Sequence, residues 1–480
     1  MTTSPDVRRD GEYDAGRGLS RRSVLTRSAA GFGIALSGSL EGLFGTKPAL
    51  ASGGRRGPGS AGDPAGFGPL VDDPKGLLSL PAGFSYSIVA QSGVTRLETG
   101  EPTPSDPDGT ASFVRQGGGG DVLVNNHEVS GGEPFVVPHV AGFVYDETTF
   151  GGTTTIEVDS TGNRVREYVS LAGTSTNCAG GKTPWDTWLT CEETEEVKGK
   201  PHGYVFEVDP YDQDANREPK PIKAFGRYAH ESVAVDPRRG TIYLTEDATA
   251  PNGLLYRWTP PDAALPLRHG SLRALADDAG TLEALTAFAP GGALVPDLSV
   301  ATEPGTTYET RWVTVPDRDA TTTSTRKQFA DGTITRSRKL EGMWWGDDGA
   351  YFVASFARTT DGSAAQHDGQ VWFVDPEAQT IELKLHFAFT PADQDNDPDG
   401  PDNITVSAFG GLIIAEDGDG VNHLIGSTPS GATFFFARND HPENSEFTGP
   451  NFSHDKKFLF ANVQSPGFVY AIQGPFRKQR

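Results

Sequence analysis

The sequence predicts an all-β fold, a β-propeller of about six blades with loop and short helical insertions. Three observations lead there. Glycine (59) and proline (35) are spread along the 480 residues rather than gathered in one tract, as many short strands joined by turns require. One phrase recurs, a glycine followed by a short β-rich run and a polar turn: Gly203–Pro210 (GYVFEVDP), Gly369–Pro376 (GQVWFVDP), and the variants Gly253–Pro260 and Gly467–Gly474. A second strand type precedes these phrases and in three cases ends in acid: Thr187–Glu193, Thr241–Asp247 and Gly411–Asp417. Gly349–Ser355 and Lys457–Asn462 have the same shape without the acid. An inner strand and a glycine-led hairpin partner, repeated irregularly, is how propeller blades read. A pair of β-sandwiches is the alternative for the same strands.

From the N-terminus, Ser20–Leu25 (SRRSVL) is a twin-arginine pattern, followed by a weakly apolar stretch from Ala29 to about Phe44 and small residues at Pro48–Ala51. This reads as an export leader over 1–51, cleaved after Ala51, with a Gly- and Ser-rich flexible linker over 52–66. The propeller then spans 67–480. Long insertions fall at about 262–335 and 385–403, and residues 262–287 carry the one helical pattern, around Leu272 and Leu282. After the leader no stretch reaches ~18 apolar residues, so no membrane span is expected in the mature chain.

Charge narrows the function. With 41 Lys+Arg against 64 Asp+Glu, the chain carries −23, and no polybasic footprint is present to neutralise nucleic-acid phosphates. An anionic substrate needs a metal to invert the local field. The acidic strand ends offer a place to hold one. Glu192/Glu193, Glu246/Asp247 and Glu416/Asp417 close three similar apolar runs, and strands around one propeller axis bring such ends together. Converging carboxylates repel, and hard cations relieve that repulsion. His230-Glu231, Glu341, Asp402-Asn403 and Asn125–Glu128 share the setting. Asp393–Asp399 has the composition of a calcium loop without EF-hand spacing. Cys178 and Cys191 are the two cysteines: either they pair as a disulfide, or Cys178, in a loop, is a thiolate ligand while Cys191 faces away from Glu192 into the core.

Asn125–Glu128 (NNHE), Asn177–Glu193 (NCAGGKTPWDTWLTCEE), Gly226–Glu231 (GRYAHE), Tyr243–Asp247 (YLTED), Pro401–Asn403 (PDN) and Ala415–Gly418 (AEDG), in this order, resemble the PhoX family of alkaline phosphatases. The resemblance covers most of the mature chain and implies a twin-arginine-exported, six-bladed propeller that hydrolyses phosphate monoesters at an iron–calcium cluster. Carried over by motif, Cys178 would bridge iron and Glu231 would hold iron. Glu192, Glu193, Glu246, Glu341, Asp402 and Glu416 would share iron and calcium, and Asn126 would help bind phosphate. Where the family pattern has Arg-Pro-Glu, this chain has Lys339-Leu340-Glu341, a point charge in place of a bidentate donor. The expected chemistry is in-line phosphoryl transfer assisted by a metal oxide or hydroxide, with Lys339 or calcium at the leaving oxygen. The expected partners are a small phosphate ester and the twin-arginine export machinery; the mature protein is expected to be a monomer, secreted or in the cell envelope. Two alternatives stay open: a calcium-dependent lactonase or phosphotriesterase on a similar propeller, and a non-catalytic calcium-stabilised binding protein.

Overall fold

The computed structural model describes residues 65–479 except 118, 359–361 and 391–395. The leader, most of the linker and residues 393–395 of the calcium-loop reading, with Asp393 and Asp395, lie outside the described residues. Among those described, regular structure is strands and six single 3-10 turns, and no helix is long and apolar enough to cross a membrane.

Six antiparallel meanders follow one another along the chain. Blade 1 is Pro107–Val114, Asp121–His127, Gly151–Val158 and Arg164–Thr174. Blade 2 has three strands, Asn177–Lys182, Trp188–Glu192 and Val205–Val208. Blade 3 is His230–Val235, Ile242–Glu246, Leu255–Thr259 and Thr281–Phe288. Blade 4 is Leu340–Gly346, Gly349–Ala354, His367–Asp375 and Thr380–Ala388. Blade 5 is Pro401–Val406, Leu412–Glu416, His423–Ser427 and Thr433–Asn439. Blade 6 takes Phe447–Phe452, Phe458–Val463 and Phe468–Gln473 from the C-terminal end and its outer strand, Ser85–Gln91, from the N-terminal end. The first strands of successive blades touch, and that of blade 6 touches that of blade 1, so the ring closes without a free inner edge.

Alternation explains why these segments are strands. In Thr281–Phe288, Leu282 and Ala284 pack into one core cluster while Leu285 and Ala287 pack into the next, as a strand with both faces covered requires. Here the structure corrects the helical reading of 262–287. Gly280, at φ +67°, separates the two apolar groups. The first is a 3-10 turn, Leu272–Ala274, and the second is the outer strand of blade 3. The insertion is also not a plain loop, since Thr307–Thr314 pairs with the outer strands of both blade 3 and blade 4 and fuses them into one sheet. Where the chain ends meet blade 6, Phe67, Phe84, Phe436 and Phe476 pack edge-to-face or offset, with ring centroids 5.0–6.0 Å apart. Rings from both ends therefore share one apolar cluster over the closure.

Candidate metal centre

The first strand of every blade breaks register at its start, and always in the same way. Pairing lapses between Pro107 and Thr110, Asn177 and Gly180, His230 and Val233, Leu340 and Met343, Pro401 and Ile404, and Thr448 and Asn451. In each lapse two residues oppose one on the partner strand, which is a β-bulge, a device that re-aims a side chain. The first bulge residues, blade by blade, are Asp108, Cys178, Glu231, Glu341, Asp402 and Gly449. Five of six carry a metal-ligating group. The second bulge residues are small or compact, Gly109, Ala179, Ser232, Gly342, Asn403 and Pro450, and all six line an axial cavity. Close approach demands this: a Cβ on Gly109 would lie 2.6 Å from Ala179 Cα, and one on Gly342 2.7 Å from Asn403 Cα.

Bulge residues and strand-end acids meet in three linked groups whose ligand atoms lie within 4.8 Å of one another: Cys178, Glu193 and Glu231; Glu231, Glu341 and Asp402; Asp402, Asp417 and Glu446. Glu231 and Asp402 are shared, so the groups form one arc from blade 2 to blade 6. Its floor is buried, with Cys178, Glu231, Glu341 and Asp402 at most 2 % exposed, while Glu193 and Asp417 are half-buried. Lys339 stands at the rim, its Nζ 3.3 Å from Glu341 Oε1 and 3.4 Å from Asp247 Oδ2.

The structure divides the acid pairs. The three acid-ended runs are second strands, not innermost ones, and alternation sends the two acids of each pair to different surroundings. Glu193, Asp247 and Asp417 face the mouth; Glu192, Glu246 and Glu416, all fully buried, do not join the arc. Glu192 accepts hydrogen bonds from the backbone N–H of Ser175 (3.1 Å), Gly203 (2.9 Å) and Tyr204 (3.1 Å) and bonds His202 Nδ1 at 2.6 Å. Glu246 takes Arg326 Nη1 at 3.0 Å and the Tyr256 hydroxyl at 2.7 Å. Glu416 accepts from Asp399 N (2.8 Å) and His423 N (2.6 Å) and bonds His423 Nδ1 at 2.8 Å. Each ties its strand end to the chain that returns as the next strand. Burial raises Glu246 to about 7 against the pull of Arg326 and Tyr256. Burial also pushes Glu416 well up, opposed by its backbone donors. At His202 burial acts downward, but bonds to Glu192 and Asp146 outweigh it and raise the imidazole's pKa.

Two further expectations change. Cys178 sits on a strand, not in a loop, and the bulge gives it access to the axis. Asn126 is buried with its amide occupied: Nδ2 donates to the carbonyls of Cys178 (2.8 Å) and Ala179 (2.7 Å), and Oδ1 accepts from Trp188 Nε1 (2.9 Å). It braces the Cys178 bulge from behind rather than facing the mouth. Both cysteines are free and buried, and Cys191 packs in the core. Glu446, which ends the arc at blade 6, and Asp108, the first bulge residue of blade 1, were not singled out from the sequence. For Asp108 the available signal was an acid followed by a small residue ahead of a β-rich run, as in Glu231-Ser232 and Glu341-Gly342.

The donor set fits metals. Burial drives the Cys178 thiol well above its usual pKa, and the charges of Glu231 and Glu193 push it further; a multivalent cation is what takes the proton off such a thiol. A thiolate suits a transition metal, and buried carboxylate oxygens suit a hard cation.

The sequence profile described as "Alkaline phosphatase PhoX" matches residues 65–467. The chain belongs to the PhoX alkaline phosphatase family. That places it among phosphomonoester hydrolases. In fold it is similar to PhoX of Pseudomonas fluorescens, solved in complex with vanadate, a transition state analogue. The TM-score is 0.63 at 19% identity, over 83% of this chain and 96% of that one. It is also similar, at TM-score 0.43 and 13% identity, to a gluconolactonase from Xanthomonas campestris, over 86% of this chain and 99% of that one. No curated protein sequence matches the chain. The six-bladed ring agrees with the propeller expected from the PhoX resemblance, and the arc of thiol and carboxylates occupies the axis of this PhoX-family fold.

Proposed function

We propose that the protein is an exported, metal-dependent phosphatase that hydrolyses phosphate monoesters at the axial arc, with iron and calcium as its metals. The observation that carries this reading is the arc itself, one thiol and six carboxylates from five blades joined through Glu231 and Asp402. Cys178, with Glu193 and Glu231, is the set suited to iron; Glu341, Asp402, Asp417 and Glu446 are an all-oxygen set suited to calcium. Bound there, the metals supply Lewis acidity and turn a ring of negative charge into a site for an anion.

The chain's own groups orient the substrate. Lys339, at the rim between Glu341 and Asp247, presents a charge to a phosphoryl oxygen or to the oxygen that departs. Glu192, Glu246 and Glu416 hold the strand ends so that Glu193, Asp247 and Asp417 keep their positions, and Asn126 fixes the carbonyls behind Cys178. Asn126 thus acts on phosphate binding only through Cys178. The twin arginines at 21 and 22 support export in a folded state. The test compares p-nitrophenyl phosphate, its bis-ester and a simple lactone on metal-replete and chelated protein. The monoester alone, with turnover abolished by chelation, is expected. Turnover of the lactone with both phosphate esters untouched contradicts the proposal.

A further inference from the structure

We propose that Phe356 forms a leaving-group subsite for phosphate esters of planar aromatic alcohols, at a gap in the acidic rim over blade 4. The inference rests on the phosphatase reading and adds which esters the site takes.

The gap follows from register. The residue just past the partner of each first-strand start is Glu128, Glu193, Asp247, Ser355, Asp417 and Gln464 in blades 1 to 6. Four blades put a carboxylate at that place. Blade 4 puts Ser355 there, its N–H bonded to the Lys339 carbonyl at 2.9 Å, and Phe356 follows. The cations gather in the same sector. Lys339 Nζ lies 5.6 Å from the centroid of the Phe356 ring while it touches Glu341, so the ring stands one side chain outward from the arc. The Arg358 guanidinium lies 5.0 Å from the Phe356 ring and 4.4 Å from that of Phe389. Arg358 is held by Asp368, and Asp419 Oδ2 lies 3.7 Å from it. The guanidinium stands over both rings and steadies them, and both rings are half-buried.

A phosphate ester has two ends. Its dianionic end belongs on the metals. Its organic end then leaves over the rim, and blade 4 is where the rim offers an aromatic ring, flanked by cations, in place of a carboxylate. A planar ring stacks there, whereas a flexible polyol finds no partner for its hydroxyls on Phe356. An aromatic contact at the upper end of its range corresponds to about tenfold in affinity.

The experiment uses metal-replete protein and two esters, p-nitrophenyl phosphate and glycerol 3-phosphate, with phenylphosphonate and methylphosphonate as non-hydrolysed ligands for calorimetry. In Phe356→Ala and in Phe356→Leu, which keeps the bulk, KM for the aryl ester and Kd for phenylphosphonate should rise about five- to tenfold. Values for the glycerol ester and methylphosphonate should stay within about twofold, and Phe356→Tyr should restore the aryl preference. Equal losses on both esters, or no change on either, overturn the subsite while leaving the phosphatase reading in place. Wild-type protein that holds its metals and cleaves neither ester overturns both.

Discussion

Replacing Glu192 by alanine should destabilise the metal-free protein, whereas replacing its neighbour Glu193 by glutamine should not. Glu192 is fully buried and satisfies three backbone N–H groups and His202. Without it those donors lie in a site from which water is largely excluded. Each orphaned N–H is worth about 1 kcal/mol or more, and the charge-assisted bond to His202 about 2 kcal/mol. Some water enters the space left behind, so we expect a loss of about 4 kcal/mol, the range seen when a buried ionic partner is removed. Glu193 is half-buried among like charges, so Glu193→Gln should leave the chelated protein within about 1 kcal/mol of wild type, since neutralising one carboxylate also relieves repulsion. Its metal content should fall. Urea unfolding of chelated proteins reads the first effect as a shift in midpoint at constant slope, and elemental analysis of untreated proteins reads the second. If Glu192→Ala unfolds at the wild-type midpoint while Glu193→Gln is the destabilised variant, the division of the acid pairs is wrong.

Cys178→Ser should lose iron and activity, and Cys191→Ala, a core change, should cost about 1 kcal/mol with metals retained; a Cys178–Cys191 disulfide found by mass spectrometry of active protein contradicts both. His127 is fully buried, bonded to the Ser105 carbonyl at 2.9 Å and to the Thr154 hydroxyl at 2.9 Å, and burial lowers its pKa from 6.5 to about 4. Between those values the unfolded chain holds the extra proton. The stabilisation is therefore complete above about pH 6.5 and is lost as pH falls to 4, about 3 kcal/mol in all. Unfolding curves of wild type and His127→Gln across that window should converge or cross by that amount, and parallel pH profiles contradict the assignment. Lys339→Ala should raise KM for a phosphate monoester without emptying the metal site, and Lys339→Arg should preserve or raise turnover; metal loss in Lys339→Ala would make the lysine a scaffold instead.

Strand identity was legible because both alternation and the glycine-led phrases survive in the sequence. Val205–Val208, Leu255–Thr259, His367–Asp375 and Phe468–Gln473 are the third strands of their blades, as such hairpin partners should be. The innermost strands were harder to read. Their starts are bulged, and a bulge interrupts the period of two on which strand recognition depends. Asp108-Gly109 therefore looks like a turn, although its backbone pairs beyond the bulge. The acid-ended second strands, being regular, drew the eye in their place. The same interruption accounts for the site. That acids converge was readable from three pairs, but which acid of a pair converges depends on the face each occupies. The partners that claim Glu192, Glu246 and Glu416 are His202, Arg326 and His423, which lie 10, 80 and 7 residues away. No local pattern marks an arginine 80 residues distant as the mate of a strand-end glutamate. The helical reading of 262–287 failed for a related reason, since four apolar residues around Leu282 fit either period until packing on two faces decides for the strand.

The most direct test of a metal centre at the propeller axis is anomalous scattering from crystals of the exported, active protein, collected on both sides of the iron edge. Density specific to iron within bonding distance of Cys178 Sγ and Glu231, with further cation density between Glu341, Asp402 and Glu446, is the predicted result. Active protein with no anomalous density among these side chains would contradict the account.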